Sequence, residues 1–120
     1  PGEPTPVGGV GECSVAEIGE ETLMLNMRAD EGFYRKSCTS IDGGLTWSSP
    51  QISIDQIDCK CQGSILSIGG AVFLSNAASA TERINMTIKK STDNGKNWKG
   101  QYTVYEGNSG YSDIVELSDS

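Results

Sequence analysis

The sequence predicts an all-β fold assembled from a repeated unit of antiparallel strands. Three observations predict it. Short apolar runs alternate with polar turn clusters, in a chain that carries 15 glycines among 120 residues. No stretch holds a helical period for three turns; AASATERINM comes nearest and has no apolar stripe before Ile84. One turn recurs: SIDGGLTW (40–47) and STDNGKNW (91–98) share Ser, Asp, Gly and Trp at the same offsets, with Asp42 and Asp93 51 residues apart.

The elements follow in order. TLMLNM (22–27) and FYRKSCTS (33–40) read as a hairpin-like pair, followed by the first turn box and the extended run SSPQISI. SILSI (64–68) and AVFLSN (71–76) flank Gly69-Gly70, a two-residue hairpin turn. AVFLSN then pairs with RINMTIKK, where Ile84, Met86 and Ile88 face one way and Arg83, Asn85, Thr87 and Lys89 the other. The second box leads into KGQYTVY, with YTVYE (102–106) as a strand, and SDIVEL (112–117) reads as one more. A unit of several antiparallel strands recurring at about 50 residues suits a β-propeller blade. The whole chain, 1–120, is then one partial propeller domain: about two four-stranded blades plus the start of another. Two units do not close a ring, so edges and blade faces are left open.

The boxes have a physical reason to recur. An Asp side chain accepts hydrogen bonds from backbone N–H groups two residues on. Gly44 and Gly95 supply positive φ without steric cost. Trp47 and Trp98 bury a large apolar surface and anchor the turn. Thr46 returns the chain to strand; Asn97 in its place makes the second box imperfect. DGG and DNG also resemble parts of calcium loops, but no third carboxylate stands at alternate spacing and no closing Glu follows. The structural role is the better account of Asp42 and Asp93.

Composition narrows the function. A formal net charge of −7 argues against nucleic acid or an anionic membrane as a broad-surface partner. No run approaches the length of a membrane span, and the start, PGEPTP, does not read as a signal peptide. Both ends look cut, as in a segment of a longer chain. Cys13, Cys38, Cys59 and Cys61 stand without any His, and the CKC spacing is too short for the usual zinc knuckle. Unpaired thiols are favoured over a disulfide or a metal site. Asn85-Met-Thr is a glycosylation sequon, a triplet too common to fix the compartment.

The boxes resemble the Asp boxes of sialidases (neuraminidases), six-bladed propellers in which they fasten blades at the periphery. The rest of the chain sharpens the resemblance. GECSVAEI followed by LMLNMR is similar to the segment with a buried Glu and the second arginine. CQGS (61–64), FLSNA and ERINMTI are similar to the segment leading to the third arginine. EGNSGYSDIVEL is similar to the segment with the catalytic tyrosine. All come in family order between Gly11 and Leu117.

The resemblance implies a retaining exo-α-sialidase that removes terminal α-linked sialic acid from glycoproteins, gangliosides or oligosaccharides. Tyr111 matches the nucleophile and Glu12 the glutamate that activates it; Glu12, not Glu17, precedes the Cys-x-Val-Ala-Glu run as the family has it. Arg28 and Arg83 match two of the three arginines that hold the substrate carboxylate. Gln62 and Asn26 are expected to line or support the pocket, and Asp113 to be a backbone partner rather than an acid. No metal or organic cofactor is implied. The chemistry is consistent: a carboxylate nucleophile would meet the carboxylate on the anomeric carbon, whereas a neutral phenol avoids the repulsion. With a free pKa of about 10 the phenol is weak and needs a base at hydrogen-bond distance. Sialidases with a tyrosine nucleophile are a known exception to the two-carboxylate rule. Arginine forks suit a carboxylate.

Taken singly, each residue has an ordinary structural account: a surface Glu, two solvated strand-end arginines, a half-buried packing Tyr. In the family, the general acid Asp and the first arginine come from earlier blades, so residues 1–120 are expected to hydrolyse nothing alone. Two alternatives stay open. A trans-sialidase shares these residues and differs at its acceptor site; a non-catalytic Asp-box propeller would bind sialoglycans. Secreted and lysosomal locations suit the chain best, and linkage preference lies in loops the sequence does not decide.

Overall fold

The computed structural model describes residues 10–118. Residues 1–9, with the PGEPTP start, and residues 119–120 lie outside the described residues. Eight strands form two sheets of four: β1 (Val10–Gly19), β2 (Thr22–Ala29), β3 (Tyr34–Ser40) and β4 (Gln51–Ile57), then β5 (Ser64–Ile68), β6 (Ala71–Ala77), β7 (Ile84–Ser91) and β8 (Gly100–Asn108). Each sheet is an antiparallel meander in chain order, which is the propeller-blade arrangement. Among the described residues there is no helix.

The strands anticipated from alternation are present except SDIVEL, and one more precedes them. β1 covers GECSVAEI, where Gly11 and the acidic Glu12 and Glu17 interrupt the apolar alternation that marks a strand. The β5–β6 turn is as expected: Ile68 pairs with Ala71, and Gly69 and Gly70 have φ of 56° and 83°. A two-residue turn with both φ positive matches the twist of the strands it joins.

β7 alternates as the sequence suggests; the deeply buried face is Thr87, Lys89 and Ser91, while Ile84, Met86 and Ile88 are half-buried. The first blade covers the polar face: Lys89 Nζ donates to the Asp55 carbonyl at 2.9 Å, and Asn76 Nδ2 on β6 donates to the Ile57 carbonyl at 2.9 Å. Met86 and Ile88 instead line an open cleft with Val104, Ile114 and Val115. SDIVEL is extended but not a strand. Its backbone bonds go to side chains, Ser112 N to Gln62 Oε1 at 2.8 Å and Ile114 N to Ser64 Oγ at 3.2 Å, rather than to a neighbouring backbone.

The apolar core lies between the blades. Ala16, Ile18 and Met24 of the first pack with Ile65, Val72, Leu74 and Trp98 of the second. Each fully buried side chain of the size of Val72 or Leu74 contributes about 1.5–3 kcal/mol relative to exposure, so neither blade buries its inner face without the other.

The two boxes share four bonds around their aspartates. Ser40 Oγ donates to Asp42 Oδ1 (2.8 Å) and accepts from Gly44 N (2.9 Å). Thr46 N donates to Asp42 Oδ1 (2.9 Å), and Thr46 Oγ1 to Asp42 Oδ2 (2.5 Å). In the second box Ser91, Gly95 and Asn97 repeat all four bonds around Asp93. The Asp therefore bonds the N–H four residues on, not two, because the Ser hydroxyl fills the nearer gap. Asn97 is no imperfection: its Nδ2 donates to Asp93 Oδ2 at 2.8 Å, as the threonine hydroxyl does. These donors, led by Thr46, lower the Asp42 carboxyl to about 2, and Asn97 leads the donors that hold Asp93 below the usual carboxylate range. Trp98 is buried in the core, whereas Trp47 is half-buried. All four cysteines are free thiols. Among the described residues no group of three or more His, Cys, Asp or Glu is placed to hold a metal ion.

Candidate active site

The boxes follow β3 and β7, at one end of each blade. The opposite end, roughly 25 Å away along β7 at about 3.3 Å per residue, collects the starts of β1 and β7 and the ends of β2 and β8. Glu12, Arg28, Arg83 and Tyr111 all belong to that end.

A bulge aims Glu12. Val10 pairs with Ala29 and Cys13 with Met27, so β1 takes one more step than β2, and Gly11 and Glu12 together oppose Arg28. Bulges re-aim side chains and recur beside functional sites. Here Arg28 Nη1 donates to Glu12 Oε2 at 3.0 Å. Gly11 is closely approached, since a Cβ there would lie 3.3 Å from Asp30 Oδ1.

The second blade brings the other two residues. Arg83 precedes β7, and its carbonyl accepts from Ser109 N at 2.8 Å, turning the chain after β8 toward the first blade. Tyr111 follows in this turn. Its hydroxyl donates to Glu12 Oε1. The Arg83 guanidinium lies over its ring, 5.6 Å from the centroid, within the range of a cation–π contact. Glu12 thus receives Tyr111 on one oxygen and Arg28 on the other, while Arg83 lies over the Tyr111 ring. The ring is 58 % exposed and open to a ligand.

The electrostatics follow from those contacts. The Tyr111 hydroxyl, then Arg28, hold the Glu12 carboxyl below its usual value, against a smaller opposing push from desolvation. The same bond from the other side raises Tyr111 above the ordinary tyrosine value, because the Glu12 anion favours the neutral phenol. The resting pair is phenol and carboxylate.

Gln62 and Asn26 do not face this cluster as ligand-binding groups. Gln62 spends its amide on Ser112: Nε2 donates to the Ser112 carbonyl at 2.9 Å and Oε1 accepts from Ser112 N at 2.8 Å. Asn26 is fully buried, its Nδ2 donating to Gln56 Oε1 at 2.8 Å and its Oδ1 accepting from Arg35 Nε at 2.5 Å. Asp113 accepts from Ser64 Oγ at 3.2 Å. Sequence reasoning passed over Arg35, which is 0 % exposed and whose Nη1 donates to Asp58 Oδ2 (3.3 Å) and to the Cys61 carbonyl (2.8 Å). On a strand of mixed polar residues, nothing in the sequence distinguishes a buried arginine from a solvated one.

Comparison with known proteins gives the family. A BNR repeat-like domain matches residues 3–120. The chain is 33 % identical over 113 residues to a sialidase of Bacteroides fragilis (strain YCH46), covering 84 % of this chain and 21 % of the relative. It is 32 % identical over 122 aligned positions to a sialidase of Micromonospora viridifaciens, covering 92 % of this chain and 19 % of the relative. The chain thus spans about a fifth of the length of the curated relatives it matches. Among solved structures, the Hadza microbial sialidase Hz136 superposes with a TM-score of 0.77 at 29 % identity, over 88 % of this chain and 22 % of that one. A leech intramolecular trans-sialidase superposes with a TM-score of 0.71 at 26 % identity, over 90 % of this chain and 19 % of that one.

Proposed function

Because the chain belongs to the BNR repeat-like family, in sequence and fold like the sialidases, we propose that it forms part of the catalytic propeller of a retaining exo-α-sialidase. The substrate class is terminal α-linked sialic acid on glycoproteins, gangliosides or oligosaccharides. The observation that carries the proposal is the contact between the Tyr111 hydroxyl and the Glu12 carboxylate, flanked by two arginines.

In the proposed reaction Glu12 takes the phenolic proton as Tyr111 Oη forms a bond to the anomeric carbon and the bond to the leaving oxygen breaks. The departing alcohol receives its proton from a general acid that is assigned to no residue of this chain. Water then bonds to the anomeric carbon as the bond to Tyr111 Oη breaks; its proton goes to the conjugate base of that general acid, and Glu12 returns the first proton to the departing phenolate. Arg28 and Arg83 hold the sugar carboxylate; a planar fork suits two carboxylate oxygens. A phenol suits this site because the attacking oxygen approaches a carbon that already bears a carboxylate.

The test is turnover of a fluorogenic α-sialoside by the complete protein carrying this chain, beside Tyr111→Phe. Turnover with a loss of orders of magnitude in the variant supports the assignment. An inactive, well-folded parent whose sialoside binding needs Arg28 and Arg83 would make the site lectin-like instead. The likeness to an intramolecular trans-sialidase favours keeping a transferase as the second account; an anhydro product or sialylated acceptor, in place of free sugar, would identify it.

A further inference from the structure

We propose that Arg35 and Gln62 are positioning residues that hold Tyr111 against Glu12, linking the two blades through the loop between β4 and β5. The proposal rests on the sialidase assignment for its meaning in catalysis, but its geometry stands apart from it.

Glu12 and Tyr111 arrive from different blades: Glu12 from the first strand of one, Tyr111 from beyond the last strand of the other. Their contact therefore depends on whatever ties the segment after β8 to the first blade. Residues 112–114 make no strand ladder. Asp113 and Ile114 are held by Ser64 at the start of β5, and Ser112 by the inter-blade loop, where the Gln62 amide closes on both its N–H and its carbonyl, one residue past Tyr111. The Ser112 hydroxyl also donates to the Ser75 carbonyl at 3.1 Å on β6.

The loop is in turn fixed to the first blade by Arg35. Its Nη1 donates to the Cys61 carbonyl, immediately before Gln62, while Nε donates to Asn26 on β2 and Nη1 also meets Asp58. Gly63 shows how tightly the loop lies on the guanidinium: a Cβ there would stand 3.0 Å from Arg35 Cζ and 3.0 Å from the Ser75 carbonyl. The sequence of contacts runs Asn26 and Asp58, Arg35, Cys61, Gln62, Ser112, Tyr111.

A buried guanidinium is a poor choice for stability alone, because desolvating the charge carries a penalty that an apolar side chain would not incur. Arg35 also leaves Nη2 without a partner, as Asp58 leaves Oδ1 and Gln56 leaves Nε2. A guanidinium nevertheless offers a rigid, planar set of donors, which fixes direction as well as distance. A displacement of about 1 Å in a reacting group costs on the order of 100-fold in rate, so a link of this stiffness has a use at a nucleophile shared between two sheets.

The experiment uses the complete protein carrying this chain and the variants Gln62→Ala, Arg35→Met and Arg35→Lys. Folding is checked by circular dichroism and thermal unfolding. Two readouts follow: kcat and KM on a fluorogenic α-sialoside, and the titration of Tyr111, taken as the ultraviolet difference from Tyr111→Phe. Folded Gln62→Ala is expected to lose about 100-fold in kcat, with KM within about threefold because the carboxylate arginines are untouched. Its Tyr111 titration should move down toward the ordinary value of about 10 as contact with Glu12 loosens. Arg35→Met should show the same pattern, and Arg35→Lys, which keeps one donor for the Cys61 carbonyl, should recover part of it. A folded Gln62→Ala with parental kcat and an unmoved Tyr111 titration would overturn the proposal. So would a rise in KM alone, which would make Gln62 a substrate contact. If Arg35→Met does not fold, Gln62→Ala decides the question. Failure of the sialidase assignment is distinguishable, since the Tyr111 titration reports its position whether or not any sialoside is turned over.

Discussion

Met24, on the second strand of the first blade, occupies the space that a side chain at Gly95, in the turn box of the second blade, would need. Gly44, the matching glycine of the first box, is less crowded; a Cβ there would stand 3.4 Å from Leu23. Both glycines have positive φ, 94° at Gly44 and 81° at Gly95. One box is thus a self-contained turn, and the other is also a contact between blades.

Gly44→Ala should accordingly destabilise by about 1–3 kcal/mol, the cost of a non-glycine residue in a sparsely populated backbone region. Gly95→Ala should add about 1–3 kcal/mol of overpacking against Met24. Met24→Ala combined with Gly95→Ala should relieve that second part, because the clashing group is gone. Denaturant midpoints of the single and double variants measure the coupling, and additive effects would refute the blade contact.

Thr46 and Asn97 make the same two bonds to their aspartates. Exchanging them, as Thr46→Asn and Asn97→Thr, should leave stability within about 0.5 kcal/mol, as for surface substitutions that preserve their contacts. Replacing either by Val keeps the backbone N–H bond and loses the side-chain donor, and should cost about 0.5–1.5 kcal/mol. Thermal unfolding of the four variants separates these cases.

The blade repeat was legible because turn chemistry is local: Ser, Asp and Gly at fixed offsets fold one loop whatever surrounds it. The register of Glu12 was not, since the bulge that opposes Gly11 and Glu12 to Arg28 is a property of two strands paired together. The burial of β7 was not legible for a related reason. Alternation shows that Thr87 and Lys89 share a face, but only the placement of β4 shows that this polar face is the covered one. Arg35 was invisible because its partners, Asn26, Asp58 and Cys61, come from three separate segments.

The boxes should govern part of the acid sensitivity. Asp42 is lowered from 3.8 to about 2 on folding. A carboxylate with a depressed folded value contributes stability that is fully present above its unfolded value and is lost as pH falls through its folded one. The thermal midpoint should therefore decline as pH is taken from above 3.8 toward about 2, the interval set by the two Asp42 values. Asp42→Asn should start lower at neutral pH and decline less over that interval. A variant whose acid profile parallels the parent would show that Asp42 does not carry the effect.

Arg83 differs from Arg28 in what a substitution removes. Arg83→Lys keeps a positive charge but loses the planar group lying over Tyr111 and the fork for a carboxylate, so Lys is not a conservative replacement there. In the complete protein, affinity for a sialic acid analogue should fall by about 10–100-fold, the equivalent of one charged hydrogen-bonded contact of about 1.5–3 kcal/mol. Unchanged inhibitor binding, measured by calorimetry, would remove Arg83 from the carboxylate site.

Glu12→Gln tests the base directly. The glutamine is nearly isosteric and still accepts a hydrogen bond from Tyr111, but it takes no proton. General-base assistance contributes about 10²–10⁴-fold, so kcat should fall by that order. The carboxylate of Glu12 is held below its usual range by Tyr111 and Arg28, which keeps it ionised into acid. An acid limb in kcat/KM due to Glu12 should therefore lie below the ordinary glutamate value of about 4.3 and be missing from the variant. Tyr111 gives an independent reading: without the anion that favours its neutral form, its titration should move down from the raised position it holds beside Glu12. A variant that keeps the parental Tyr111 titration and rate would mean that the Tyr111–Glu12 contact is structural, and the base would have to be sought elsewhere.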